Sequence, residues 1–274
     1  MPDLDLAAYF DRIGYEGSAQ PTLEVLRSLH HLHPQAIPFE NLDPFLHRPV
    51  DLDFAATQQK LVGDGRGGYC FEQNLLLMAV LQVIGFSVSG LGARVIWSNP
   101  EGAITPRSHM LLRIELDGQL WLADVGFGGL TLTAPLLLQP DLEQQTPHEV
   151  VRLVEAEGYF RIEANVAGTW QKLYRFDLAE QFAVDYSVSN YFLTTNPASQ
   201  FRTRLIAARP LPGRRLALIN NRFSVHHLDG RTERRDLADA SEVSDVLRTE
   251  FDIPVPDRAL FASMAQEKLF KVTA

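Results

Sequence analysis

One cysteine stands in 274 residues, so no intramolecular disulfide can form. That suits a reducing compartment, and a cytoplasmic protein is expected. Positive charge is also scarce: 25 Lys and Arg face 34 Asp and Glu, a formal net charge of -9. Nucleic-acid binding needs a basic face to neutralise phosphates, and the composition argues against it. No apolar run is long enough for a membrane partner. The longest apolar helical stretch, Leu75 to Ile84, carries Gln82 and is about half the span a bilayer requires. The start, Met1-Pro2-Asp3-Leu4-Asp5, is acidic and lacks the basic opening of a signal peptide. No metal site is expected. His30, His31 and His33 have no Cys or carboxylate at ligand spacing and read as a helix end approaching Pro34, while His226 and His227 read as one strand of a hairpin that turns at Asp229-Gly230. Repeats and low-complexity linkers are absent too. What remains is a chain with 46% hydrophobic content, long enough to bury a substantial core and to hold two or three domains.

The lone cysteine lies in Arg66-Gly67-Gly68-Tyr69-Cys70-Phe71-Glu72-Gln73-Asn74, where a glycine turn runs into the first turn of an expected helix. A thiol at a helix N-terminus faces the positive end of the dipole and unpaired N–H groups, which favour thiolate over thiol. Arg66, four residues upstream, is expected to push the same way. A free cysteine is more often an inert core residue, so the reading turns on a nearby base. The stretch from Gly63 to Gly68 is not read as a phosphate cradle, because it lacks the Gly-Lys-Ser/Thr ending of a nucleotide loop.

A base and its orienter are legible in one hairpin. His109 to Leu116 and Gln119 to Val125 are strand-like runs separated by Asp117-Gly118, a strong two-residue hairpin signal. With that loop Leu116 faces Gln119, and Asp124 falls opposite Leu111, two places from His109 and on the same face. Diagonal neighbours of this kind have backbones about 7–8 Å apart, within reach of a His and an Asp that lean together. A three-residue loop would put them on opposite faces. Cysteine on a helix N-terminus with His and Asp on adjacent strands is the logic of a cysteine triad: His109 as base and acid, Asp124 fixing its tautomer.

These residues carry a family resemblance. The Arg66 to Asn74 element, Ile37-Pro38-Phe39-Glu40-Asn41-Leu42, Ser108-His109 and Asp124-Val125-Gly126-Phe127-Gly128-Gly129 resemble, in order and spacing, the arylamine N-acetyltransferases. The agreement thins after Phe201. The resemblance implies acetyl transfer from acetyl-CoA, through a Cys70 thioester, to arylamines, arylhydrazines and arylhydroxylamines, in a ping-pong route without a metal. It implies an acceptor pocket lined by Phe39, Val95, Ser108, Phe127 and Phe201, and CoA contacts at Thr105, Gly126, Gly128 and Gly129. It also implies that Glu40 pairs with Arg66 behind the Cys70 turn. CoA phosphates would meet arginines such as Arg202, Arg204, Arg214 or Arg215. Two other readings stay open: an amide synthase or cysteine amidase on the same triad, and a non-catalytic protein binding CoA or aromatic ligands. The oligomer is left open, a homo-oligomer included.

Changes of period along the chain suggest an α+β protein. Residues 1–85 read as a helical domain carrying the nucleophile. Residues 86–196 read as a mainly antiparallel, barrel-like domain carrying His109 and Asp124, and 197–274 as an α/β unit with strands near 204–208, 215–220 and 222–228 and helices near 241–251 and 257–268. By resemblance the third unit is a lid, and the core is cysteine-protease-like.

Overall fold

The structure is a computed structural model describing residues 3–270. Residues 1–2, the start of the acidic N-terminus, and 271–274, the end of the expected third unit, lie outside the described residues.

The first helix, α1 (Leu6–Ile13), is capped by the Asp5 carboxylate, which accepts the Ala8 N–H, and it ends at Gly14 in the left-handed region. Next, α2 (Leu23–Ala36) starts at the Thr22 hydroxyl, which accepts the Val25 N–H. It does not stop before Pro34 as the sequence suggests but carries it in its last turn. There a proline removes a single helical bond, and the buried face of Leu26, Leu29, His30 and His33 holds the helix to its end. The short β1 (Phe39–Glu40), α3 (Leu42–Phe45) and α4 (Phe54–Gln58) follow, the last unwinding into a π-turn over Gln59–Gly63. The central helix α5 (Cys70–Ile84) is apolar nearly all round and buried along most of its length, with Gln82 and Val83 in its last turn exposed. Glu72 at its third position accepts the Tyr69 N–H at 3.0 Å, and Gly85, at φ 108°, terminates it.

Eight antiparallel strands come next: β2 (Ser87–Val95), β3 (Arg107–Leu116), β4 (Gln119–Ala123), β5 (Leu136–Leu137), β6 (Gln144–Gln145), β7 (Val150–Ala156), β8 (Tyr159–Val166) and β9 (Thr169–Gln181). Their spatial order is β5-β4-β3-β2-β9-β8-β7-β6. The two end strands are bridged by a side chain: the Gln144 amide accepts the Leu137 N–H at 2.8 Å and donates to the Leu137 carbonyl at 2.9 Å. The sheet is thus a nearly closed barrel filled by Leu91, Leu111, Leu122, Leu153, Ile162 and Leu173. The β3–β4 hairpin has the expected register, Leu116 facing Gln119 through to Leu112 facing Ala123. Asp117 and Gly118 both have positive φ, 52° and 72°, as the tight two-residue turn requires.

The chain then forms α6 (Ala183–Thr195) and α7 (Gln200–Thr203). The sequence reading does not single out α6, since its β-branched and aromatic residues resemble a strand by propensity. The Asp185 carboxylate, which accepts the Phe182 N–H at 2.8 Å, starts the helix, and buried Tyr186, Asn190 and Leu193 mark its helical face. Finally β10 (Ile206–Leu211), β11 (Arg214–Ile219), β12 (Arg222–His227) and β13 (Thr232–Asp236) precede α8 (Ala240–Thr249) and α9 (Arg258–Leu269). The hairpin at Asp229-Gly230 joins β12 to β13. Strand β1 completes this sheet, Phe39 pairing with Ala208, so the helical segment and the last third of the chain share a ladder.

Candidate active site

Cys70 is the first residue of α5 and is 3% exposed. The turn before it is pressed against β1, the Glu40 N–H meeting the Gly68 carbonyl at 3.0 Å. At Gly67 a β-carbon would lie 2.1 Å from the Pro38 carbonyl oxygen, so only glycine fits. The Gln73 amide nitrogen, on α5, donates into the same turn, 2.9 Å from the Pro38 carbonyl and 3.2 Å from that of Gly68.

Behind the turn lies a cluster of opposed charges. Arg66 holds Glu40 at 2.6 Å and Asp43 at 3.0 Å, and Lys60 holds Asp43 at 2.8 Å and Glu72 at 2.6 Å. The Arg66–Glu40 pair is formed, but the expectation that Arg66 favours the thiolate is corrected: its guanidinium is turned to two carboxylates and its charge is compensated there. Burial raises Asp43, but Lys60 and Arg66 outweigh that and hold it below its ordinary range. Burial raises Glu72, with Lys60 opposing. Asp43, Lys60 and Glu72 escaped the sequence reading; the only local signal was the Glu three residues after the N-cap Tyr69.

Cys70, His109 and Asp124 meet where α5 packs on β3. The thiol donates to the Ser108 carbonyl at 3.6 Å, and His109 Nε2 lies 2.7 Å from Asp124 Oδ2. His109 and Asp124 are buried. Burial alone would discharge His109, but the facing Asp124 carboxylate and the Cys70 thiol reverse that and carry it up to about 10. Burial raises Asp124, and His109 with the donors from Asn74 and Gly126 brings it below the ordinary carboxylate value. The site therefore favours an imidazolium beside a carboxylate, with Nδ1 left free of Asp124 and available to the sulfur.

Asn74 ties these groups together. One turn beyond Cys70 on α5, it donates to Asp124 Oδ1 at 3.0 Å and to the Met110 carbonyl at 2.8 Å, and accepts the Val125 N–H at 3.1 Å. The Gly126 N–H reaches Asp124 Oδ1 at 2.9 Å, and a β-carbon at Gly126 would stand 2.6 Å from Cys70 Cα. The loop after Asp124 thus comes into direct contact with Cys70 because residue 126 is glycine.

Aromatic rings surround Cys70, His109 and Asp124. Phe127 lies 5.3 Å from His109 and Tyr174 lies 4.8 Å from it, centroid to centroid. Phe201 packs edge-on to Phe39 at 6.1 Å and to Tyr69 at 5.3 Å. Gly128 lies against the Phe39 ring and Gly129 against Trp97. Val95, at the end of β2, pairs with Tyr174. Ser108 contributes its carbonyl, whereas its hydroxyl reaches only the Pro106 carbonyl. Thr105 is not drawn to the triad; its carbonyl accepts from Arg94. A cavity of about 240 Å³, lined in part by Phe71, Arg107, Tyr186 and Ser189, opens onto His109. Two larger ones, about 390 and 510 Å³, are lined in part by Ser244, Arg248 and Arg258 and touch no triad residue.

Of the arginines considered for CoA phosphates, Arg204 and Arg214 are exposed and Arg202 is half-buried. Arg215 is not available: it is buried against Glu149 at 2.8 Å and the Thr131 carbonyl at 3.0 Å. Among the described residues no group of three or more His, Cys, Asp or Glu side chains converges as a metal would need, and no helix is long and apolar enough to cross a membrane.

The family model described as N-acetyltransferase matches residues 22–260. The arylamine N-acetyltransferase of Escherichia coli K12 is 44% identical over 250 residues, 91% of this chain and 89% of that protein. That of Mycobacterium tuberculosis is 44% identical over 258 residues, covering 93% and 91%. The structure of Mycobacterium marinum arylamine N-acetyltransferase in complex with CoA superposes with a TM-score of 0.94 at 40% identity, over 97% of this chain and all of that one. The M. tuberculosis structure gives 0.92 at 42%, over 95% and 99%. With the Cys70 helix seated on a barrel in the cysteine-protease manner and relatives of this likeness along nearly its whole length, the chain belongs to the arylamine N-acetyltransferase family of acyltransferases.

Proposed function

We propose that this protein moves an acetyl group from acetyl-CoA, through a thioester on Cys70, to the nitrogen or oxygen of arylamines, arylhydrazines and arylhydroxylamines. The observation that carries the reading is the buried 2.7 Å contact between His109 and Asp124 beside the sulfur-bearing N-terminus of α5. In the first half-reaction the Cys70 thiolate adds to the thioester carbonyl, and the CoA sulfur leaves with the proton held on His109. One thioester replaces another, at little thermodynamic cost. In the second, the aromatic amine adds to the acetyl carbonyl, its proton passes to His109, and the cysteine sulfur departs as thiolate. Asp124 holds the imidazole in register throughout. The CoA complex of the M. marinum relative supports CoA as the carrier here.

Aniline-type nitrogens are weak nucleophiles, so the acyl-enzyme has to survive until one arrives. The rings of Phe39, Tyr69, Phe127, Tyr174 and Phe201 around a nearly inaccessible sulfur favour that by excluding water. Intact-mass spectrometry tests the proposal. Brief exposure to acetyl-CoA should add one acetyl group, confined to Cys70, that disappears as acetylated product forms on addition of an aromatic hydrazine or aminobenzoate. Failure to acetylate would point to another acyl donor and thus to an amide synthase or amidase. Turnover surviving in Cys70→Ala would remove the thioester altogether, whereas loss of turnover with retained CoA binding is expected.

A further inference from the structure

Asp124 lies between two histidines, and the chemistry above uses only one. His109 takes the carboxylate. On the opposite side, the backbone N–H of Asp124 points at His30 Nε2, 3.0 Å away, on the buried face of α2. An N–H donor requires a bare nitrogen as acceptor, so His30 must be neutral with its proton on Nδ1. That Nδ1 is buried and meets no acceptor in hydrogen-bond geometry. Pro34, four residues on, has no N–H for the His30 carbonyl, and that freed carbonyl favours a proton on the ring beside it. One turn along α2, His33 shows the converse tautomer. Its Nδ1 lies 2.9 Å from the Tyr9 hydroxyl, and its Nε2 lies 2.6 Å from Gln73 Oε1, the side chain whose amide nitrogen holds the Cys70 turn. One face of α2 therefore reaches both the acid of the triad and the turn that presents the nucleophile.

We propose that His30 is a positioning residue for the triad: a permanently neutral imidazole that fixes the Asp124 backbone and leaves the Asp124 charge wholly to His109. The two rings beside one carboxylate are separated by their surroundings. Burial pushes His30 down to about 3 despite the nearby Asp124 charge, whereas His109, in contact with the carboxylate itself, is carried to about 10. A second imidazolium here would draw the carboxylate away from His109. A neutral acceptor anchors the residue without competing. The inference rests on the triad reading of Cys70, His109 and Asp124 and on no particular acyl donor.

The test replaces His30 by Gln, whose amide oxygen can stand where Nε2 stands, by Asn, whose amide is too short to reach it, and by Leu. Alkylation of Cys70 by iodoacetamide at neutral pH reports on the triad without any acyl donor, so a failure of the acetyl-transfer proposal would not be mistaken for a failure of this one. His30→Gln should alkylate and acetylate at the wild-type rate. His30→Asn and His30→Leu should lose up to about 100-fold in both rates, the scale of a misplaced catalytic group, with KM for acetyl-CoA unchanged. Wild-type reactivity in His30→Leu would overturn the assignment, as would equal losses in all three. Nitrogen-15 spectra of the intact wild-type protein decide the matter even if the variants fail to fold. With Asp124, His31 and His33 as its ionisable neighbours, the His30 ring should keep a bare Nε2 and a protonated Nδ1 from about pH 5 to pH 8. A ring that titrates in that range, or that carries its proton on Nε2, would refute the proposal.

Discussion

His109 is the residue whose protonation the fold alters most usefully, and the change has a measurable signature. Its value rises from an ordinary 6.5 to about 10, so the folded protein holds a proton that the unfolded chain gives up in between. The stabilisation is fully present below pH 6.5 and is lost as pH climbs through about 10. Asp124, held below its usual range, acts on the other side: its contribution is present above the ordinary carboxylate value and is lost on acidification. Urea unfolding of the wild type should therefore show stability falling from neutral to alkaline pH at up to about 1.4 kcal/mol per pH unit from this group. His109→Gln should flatten that slope whatever it does to the absolute stability. Parallel curves for the two proteins would mean that His109 is not a cation in the folded state.

At the scale of elements, the N-terminus of α5 is held from behind by the buried charges. Lys60, in the π-turn before the glycine loop, touches Asp43 and Glu72 at once, and its side chain is 14% exposed. Replacing it by Met leaves Glu40, Asp43 and Glu72 with Arg66 as the buried cation and the exposed Arg48 at 3.8 Å from Asp43. Breaking a buried pair on one side costs about 3–5 kcal/mol, far more than a surface pair is worth. Lys60→Met should thus lower the urea midpoint sharply, and Lys60→Met with Glu72→Gln should recover part of the loss. A midpoint within error of the wild type would show that the cluster is solvated. The sequence announced little of this. It showed the β3–β4 turn and its register, because Asp-Gly between two strand-like runs is a local signal. It showed Cys70 at a helix start for the same reason. It did not show Lys60 with Glu72, Asn74 with Asp124, or His30 with Asp124. Those contacts depend on how α2, the π-turn, α5 and the barrel pack, and an isolated Lys or Asn carries no mark of its eventual partner. Helix α6 was concealed differently, by strand-like residues whose decisive N-terminal Asp is a single carboxylate.

At the scale of the whole molecule, the last sheet is coupled to the loop after Asp124 chiefly through an arginine. Arg215, on β11, grips Glu149 before β7 with two nitrogens and donates to the Thr131 carbonyl at 3.0 Å. The Thr131 hydroxyl in turn donates to the Asp124 carbonyl and accepts the Phe127 N–H, both at 3.3 Å. A parallel link runs from His148 to the Thr133 hydroxyl at 3.2 Å and to the Leu211 carbonyl at 3.0 Å. The loop carrying Gly126 to Gly129 is thus fixed at its far end by a β11 side chain 84 residues beyond Thr131 in sequence. Arg215→Ala strands a nearly buried Glu149 carboxylate and should cost about 3–5 kcal/mol. Glu149→Ala strands the arginine instead. The double variant removes both charges, so it should be less destabilised than the sum of the singles, with a coupling energy above about 1 kcal/mol in a thermal or urea double-mutant cycle. Since the brace ends on the loop beside Cys70, Arg215→Ala should also slow Cys70 alkylation under conditions where the variant remains folded. Additive losses with unchanged alkylation would show that the last sheet covers the barrel without setting the geometry of the site.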